Sequence, residues 1–182
     1  MGRLFYRGPA VVATLLVAAL AGCLEQPASV PEASVDFRGE SEDSPRLPAR
    51  QRFVLSQQAD AGPGYAVRST AGSGRRFVAR HPLWNMRAEL GSDGVRLAYD
   101  EVSIGLALLE WGRAEARVPA IDVQPTADGN RVEYDRGEVT EWYVNGPLGL
   151  QQGFTLRTRP SGSGRLEITM QIDTDRVPHL SA

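Results

Sequence analysis

Over Arg165-Leu166-Glu167-Ile168-Thr169-Met170-Gln171-Ile172-Asp173 an apolar residue falls at every second position. Successive side chains of an extended chain point to opposite sides, so this alternation makes one dry face and one wet face. It does not suit a helix, where apolar positions recur every three or four residues. The same period runs through the chain from about Arg52. Met86, Ala88 and Leu90 alternate with Arg87 and Glu89, and Val95, Leu97 and Tyr99 follow a Ser92-Asp93-Gly94 turn, which predicts a hairpin. Ile104, Leu106 and Leu108, with Ala107 and Leu109 on the other face, predict a central strand covered on both sides. Shorter runs follow at Ala114–Val118, Ile121–Val123, Val132–Tyr134, Trp142–Val144 and Phe154–Leu156. Turn signals separate them at Gly91–Gly94, Ala127–Asn130, Arg136–Gly137 and Ser161–Gly164. Short strands broken this often predict an all-β fold, an antiparallel β-sandwich over residues 51–182. The one helical candidate is Ala49–Gly62, whose apolar positions fit a strand about as well. After Asp173 the sequence reads either as the tail of a finished sandwich or as a cut in a longer, truncated one.

The first 22 residues have a different character. Arg3 and Arg7 precede an apolar run from Ala10 to Ala21 that is short for a bilayer span, the pattern of a removable signal peptide. The run ends in Leu20-Ala21-Gly22-Cys23, and Cys23 is the only cysteine. This spacing resembles the bacterial lipobox, in which the thiol is acylated and becomes the mature N-terminus. One cysteine excludes an intrachain disulfide and a cysteine-based metal site. Two or more acyl chains, at about 0.8 kcal/mol per buried methylene, anchor stably where one does not. Leu24 after the lipidated residue, rather than Asp, resembles lipoproteins sorted to an outer membrane. Residues 24–50, rich in Pro, Ser and acids, bury too little to offset their ordering entropy and predict a disordered tether. As a flexible coil it would reach on the order of 30 Å. Loss of two Arg with the leader leaves 18 Arg against 22 acids. With no basic stripe to offset that balance, nucleic acid is not expected as a partner.

The densest set of functional-looking side chains is Glu133–Phe154. Glycoside chemistry needs two carboxylates facing one cleft, and Glu133, Glu138 and Glu141 stand among Tyr134, Trp142 and Tyr143. Strand parity puts Glu141 on one face with Val139 and Tyr143, and Trp142 on the other with Thr140 and Val144. Trp142 is then expected in the core and Tyr143 outside. Asn145-Gly146-Pro147 is expected to open a corner that Gln152-Gly153 closes. The candidate ligand contacts are therefore Glu141, Tyr143, Asn145, Gln151 and Gln152, with no catalytic residue, cofactor or metal assigned. His81 and His179 are isolated in sequence, and Asp173-Thr174-Asp175 lacks the remaining ligands of a calcium loop. Ser69–Arg76 reads as a glycine-rich hairpin turn rather than a phosphate loop, since no Gly-Lys-Ser/Thr closes it. Ser161-Gly162-Ser163-Gly164 lacks the strand-to-helix elbow of a serine nucleophile.

The run Gly129–Leu156, preceded by His81–Leu97, is similar to the amino-terminal domain of large bacterial lipoproteins and secreted proteins, especially myxobacterial ones, in which it precedes FG-GAP integrin-like repeats. The resemblance covers about residues 62–180 and is most specific over Val132–Phe154, including Glu141-Trp142-Tyr143-Val144-Asn145 and Gln152-Gly153-Phe154. It implies an all-β accessory module on the cell envelope and transfers no catalytic residue. The calcium-binding FG-GAP loops are not in this sequence, so none of the propeller's binding properties carries over. The expected protein is thus a non-catalytic, membrane-anchored structural or adhesion-type module with an envelope protein or polysaccharide as partner. The alternative is a carbohydrate-binding or carbohydrate-cleaving domain built on Tyr143 and its neighbouring carboxylates.

Overall fold

The computed structural model describes residues 2–8, 13–17, 49–59, 61–70 and 75–174. In chain order the strands are β1 (Gly2–Gly8), β2 (Ala13–Val17), β3 (Arg68–Ser69), β4 (Phe77–Arg80), β5 (Met86–Gly91), β6 (Gly94–Tyr99) and β7 (Val102–Arg113). After them come β8 (Ala116–Pro119), β9 (Thr126–Asp128), β10 (Arg131–Asp135), β11 (Val139–Gly146), β12 (Gly149–Leu156) and β13 (Leu166–Thr174). One sheet runs β1-β13-β7-β6-β5-β4-β3 with β8 beside the far half of β7, and the other runs β2-β12-β11-β10-β9. Every pairing is antiparallel, and the two sheets share one apolar core, so the expected antiparallel sandwich is the observed fold.

The alternation explains the first sheet. Met86↔Tyr99, Ala88↔Leu97 and Leu90↔Val95 pair across the expected hairpin and face inward, while Arg87, Glu89 and Arg96 stay on the outer side. β7 is central as expected, but its outer face is not covered by another layer: Gly105, Ala107 and Leu109 are half-exposed. A bulge sits at Leu109. Met170 pairs with Leu108 and Thr169 with Glu110, so one extra residue reverses the parity and turns Trp111 into the core. β8 is exposed throughout, and Ile121–Val123 forms no strand, although Val123 packs against the core.

Two further differences concern chain geometry. Ala49–Ala59 is a helix, α1, consistent with its Ala, Arg, Gln and Leu content. It begins just before residue 51, where the sandwich was expected to start. The expected corner at 145–153 is a tight hairpin instead: Gly146 pairs with Gly149 across Pro147-Leu148, and β12 starts at once. Pro147 fixes its φ near about −65°, which excludes a primed turn, and Gly149 at φ 98° supplies the left-handed residue such a loop then needs.

Gly2–Gly8 runs along β13 and Ala13–Val17 along β12. Where the sequence sets residues 1–22 outside the fold, the full chain lays two pieces of them along an open edge of each sheet. Unpaired edges attract any extended apolar segment, and one tethered to the same chain closes at small entropic cost. Cys23, the tether up to residue 48, Asp175 and His179 lie outside the described residues, as do residues 71–74 of the glycine-rich turn. Among the described residues no helix is long and apolar enough to cross a membrane.

Candidate functional site

β11 and β12 bring Glu141, Tyr143 and Gln152 together between the sheets. The strand parity is as expected but the faces are reversed. Val139 and Tyr143 belong to the inter-sheet core, and Trp142 and Val144 lie on the opposite side of their sheet. The reversal follows from burial on both sides: Trp142 is 3 % exposed and Tyr143 1 %, so hydrophobicity alone does not choose between them. Trp142 lies against Gly153, where a Cβ would come within 2.1 Å of Cζ2. Arg131 stacks on the indole at 4.4 Å, and its Nε1 donates to Thr155 Oγ1 at 3.2 Å.

Inside, Glu141 is almost fully enclosed and paired with Arg136. Arg136 donates to Glu141 Oε2 from Nε at 3.2 Å and Nη2 at 2.9 Å, and from Nη1 to the Ile121 carbonyl. Tyr143 Oη donates to Glu141 Oε1 at 2.6 Å, and Gln152 Nε2 donates to the same oxygen at 3.0 Å and to Tyr143 Oη at 2.8 Å. Burial, then the Glu141 charge, holds the Tyr143 hydroxyl well above the usual tyrosine range. The Tyr134 hydroxyl is raised by the same two causes and donates to the Gly94 carbonyl. This arrangement places a carboxylate, a guanidinium and a phenol in contact, but each is engaged by the others. It works as a polar core. A buried charge needs such partners, and losing one exposes its full desolvation cost.

The other candidates separate. Asn145 is fully buried and donates through Nδ2 to the carbonyls of Tyr65 and Arg80, joining the chain before β3 to the end of β4. Gln151 faces the other side of the sheet from Gln152 and has no hydrogen-bond partner on its side chain among the described residues. None of the five expected contacts is solvent-exposed. Glu133 stands opposite Trp142, on the other face of the sheet from Glu141, and pairs with Arg131, while Glu138 accepts from Thr158.

No family model, curated protein or solved structure matches the chain. A cleft of about 160 Å³ opens on the outer face of the larger sheet, lined in part by Arg76, Glu89, Asp93, Arg96, Gln171 and Asp173. Its floor is a cross-strand row in which Glu89 faces Arg96, Arg96 faces Gly105 and Gly105 faces Asp173. Gly105 leaves the dip: a Cβ there would lie 3.2 Å from that of Asp173. Arg76 binds Asp93 at 2.9 Å, and this hydrogen bond holds the Asp93 carboxyl below its usual range. Arg96 approaches Asp173 more loosely, at 3.9 Å. Sequence reading missed both this row and Arg136. Parity gives the outer face of each strand, but the juxtaposition depends on the register of four strands.

His81 is structural. Its ring stacks on Trp84 at 4.0 Å and meets Tyr65 edge-on, while Nδ1 accepts from the N–H groups of Leu83 and Trp84. Ser161 and Ser163 are exposed in a segment clasped by Arg113, which donates to the carbonyls of Pro160 and Gly164, and by Glu115, which accepts from the Gly164 N–H. No group of three metal-ligating side chains occurs among the described residues.

Proposed function

We propose that this chain is a lipid-anchored, non-catalytic protein of the bacterial cell envelope, held at the outer membrane through Cys23 and presenting its sandwich as a structural or adhesion-type interaction module. The observation that carries the reading is Leu20-Ala21-Gly22-Cys23 closing an apolar run that follows Arg3 and Arg7, with the chain's only thiol at the acylation position. The resemblance over residues 62–180 to the leading domain of FG-GAP repeat lipoproteins supports the same location. The interior supports the non-catalytic part, because Glu141, Arg136, Tyr143 and Gln152 bind one another rather than line a cleft. The carbohydrate alternative loses its residues, since Tyr143 and Glu141 are enclosed and Glu141 is engaged by Arg136, Tyr143 and Gln152. The test is metabolic labelling of the full chain with a clickable fatty acid in a bacterium that processes lipoproteins. The wild type takes up label and fractionates with membranes, and Cys23→Ser does neither. An unlabelled wild type ends the reading.

A further inference from the structure

Gln151 is fully enclosed, yet neither its amide oxygen nor its amide nitrogen has a hydrogen-bond partner. Buried amides are normally satisfied, and an orphaned one costs about 1–3 kcal/mol. The register gives the reason: Val144 stands opposite on β11 and Leu16 opposite on β2. Val144, the neighbour on β11, has an aliphatic side chain with neither donor nor acceptor. β11 is fixed between β10 and β12, whereas β2 is a terminal strand that pairs with β12 alone. It is also part of the leader that the proposed function removes.

We infer that the outer edge of β12, freed when the leader is cut at Cys23, is a strand-acceptor site for an extended, uncharged peptide segment of a partner protein carrying Asn, Gln, Ser or Thr opposite Gln151. The inference rests on the leader assignment above. β2 serves as the template, pairing antiparallel from Leu150↔Val17 to Phe154↔Ala13, which shows the sense and span of strand the edge takes. Backbone hydrogen bonds along an edge give affinity with little sequence preference, and the side chain beside the orphaned amide gives specificity. A charge there is disfavoured, because Gln151 shares its face with buried Trp142 and Val144.

The test uses the protein purified in detergent from the membranes of cells that process it, with its mass measured first. Two labelled peptides are then titrated, one of residues 11–19 and one carrying Leu16→Gln, while hydrogen exchange is followed at residues 150–154. The expected mass begins at lipidated Cys23. Both peptides slow exchange at 150–154, and the Gln peptide binds roughly three- to tenfold tighter, the equivalent of one net hydrogen bond. In the Gln151→Leu protein the preference reverses. A processed protein in which neither peptide protects 150–154, or in which the preference does not reverse, overturns the site. Protection that grows with protein concentration alone assigns the edge to a second copy and overturns the peptide partner. A mass that retains Met1 overturns the leader assignment and this site with it, and the mass alone tells that failure from the others.

Discussion

The β5–β6 and β11–β12 hairpins close in the same way and are filled in opposite ways. Each joins paired glycines across two residues, and the second glycine carries a positive φ, 107° at Gly94 and 98° at Gly149. In β5–β6 the inner face is apolar and the outer face carries Arg87, Glu89 and Arg96 in water. In β11–β12 both faces are buried, and the inner one holds the salt-bridged pair Arg136–Glu141. Alternation identifies a strand wherever it occurs. It names the inward face only when the other face is wet.

The contrast predicts unequal responses to equal cuts. Arg136→Ala leaves the Glu141 carboxylate enclosed without its cation and should cost about 3–5 kcal/mol in urea unfolding. A hydrophobic double replacement, Arg136→Met with Glu141→Leu, should cost less than Arg136→Ala alone; a larger loss would show that the pair is net stabilising. Next in size is Gly153→Val, which drives a side chain into Trp142 and should cost about 1–3 kcal/mol or more, with a changed near-ultraviolet tryptophan signal. Unchanged stability there would mean that the indole moves freely.

Alkaline pH tests the same interior without mutation. Folding raises the hydroxyl pKa of Tyr134 and Tyr143 above the unfolded value of about 10. Their contribution is therefore complete below that pH and is lost as pH rises above it, because the unfolded chain then releases protons that the folded one keeps. Stability should fall above about pH 10 by up to about 1.4 kcal/mol per pH unit per tyrosine, and Tyr143→Phe should flatten the slope. An identical slope in the variant would place the titration elsewhere. The smallest effect belongs to the wet hairpin. Arg76→Ala removes a pair whose side chains are 48 % and 65 % exposed and should change thermal stability by about 0–1 kcal/mol, less in high salt.

Legibility follows the same division. The β5–β6 register, the inward face of β13 and the sandwich itself are readable because polar residues mark the solvent side. The face of Tyr143 is not, since Trp142 and Tyr143 are equally apolar and both become buried. Trp111 is hidden for another reason: the bulge at Leu109 shifts the parity by one, and no local residue announces it. Gly153 is readable only in retrospect, as the residue small enough to lie under an indole. The polar core is partly legible, because Glu141, Tyr143 and Gln152 fall within one short stretch, but their partner Arg136 reads as part of a turn. The burial of the ligand candidates is not legible, because polar side chains usually face water, whereas Glu141, Tyr143 and Gln152 bond one another, Asn145 donates to backbone carbonyls and Gln151 is enclosed without a partner among the described residues.

The attachment of α1 has a mechanical meaning. Gln58 donates from Nε2 to the carbonyls of Val144 and Gly149, accepts at Oε1 from the Leu148 N–H, and offers its own carbonyl to Asn130 Nδ2. Phe53, by contrast, is 57 % exposed, so the helix is held by this polar clasp more than by an apolar face. Once the leader is cut as proposed, tension drawn from the amino-terminal side would reach the sandwich through this helix. Four bonds that share one residue would then carry that load side by side, on β11, β12 and the turns at Asn130 and Leu148.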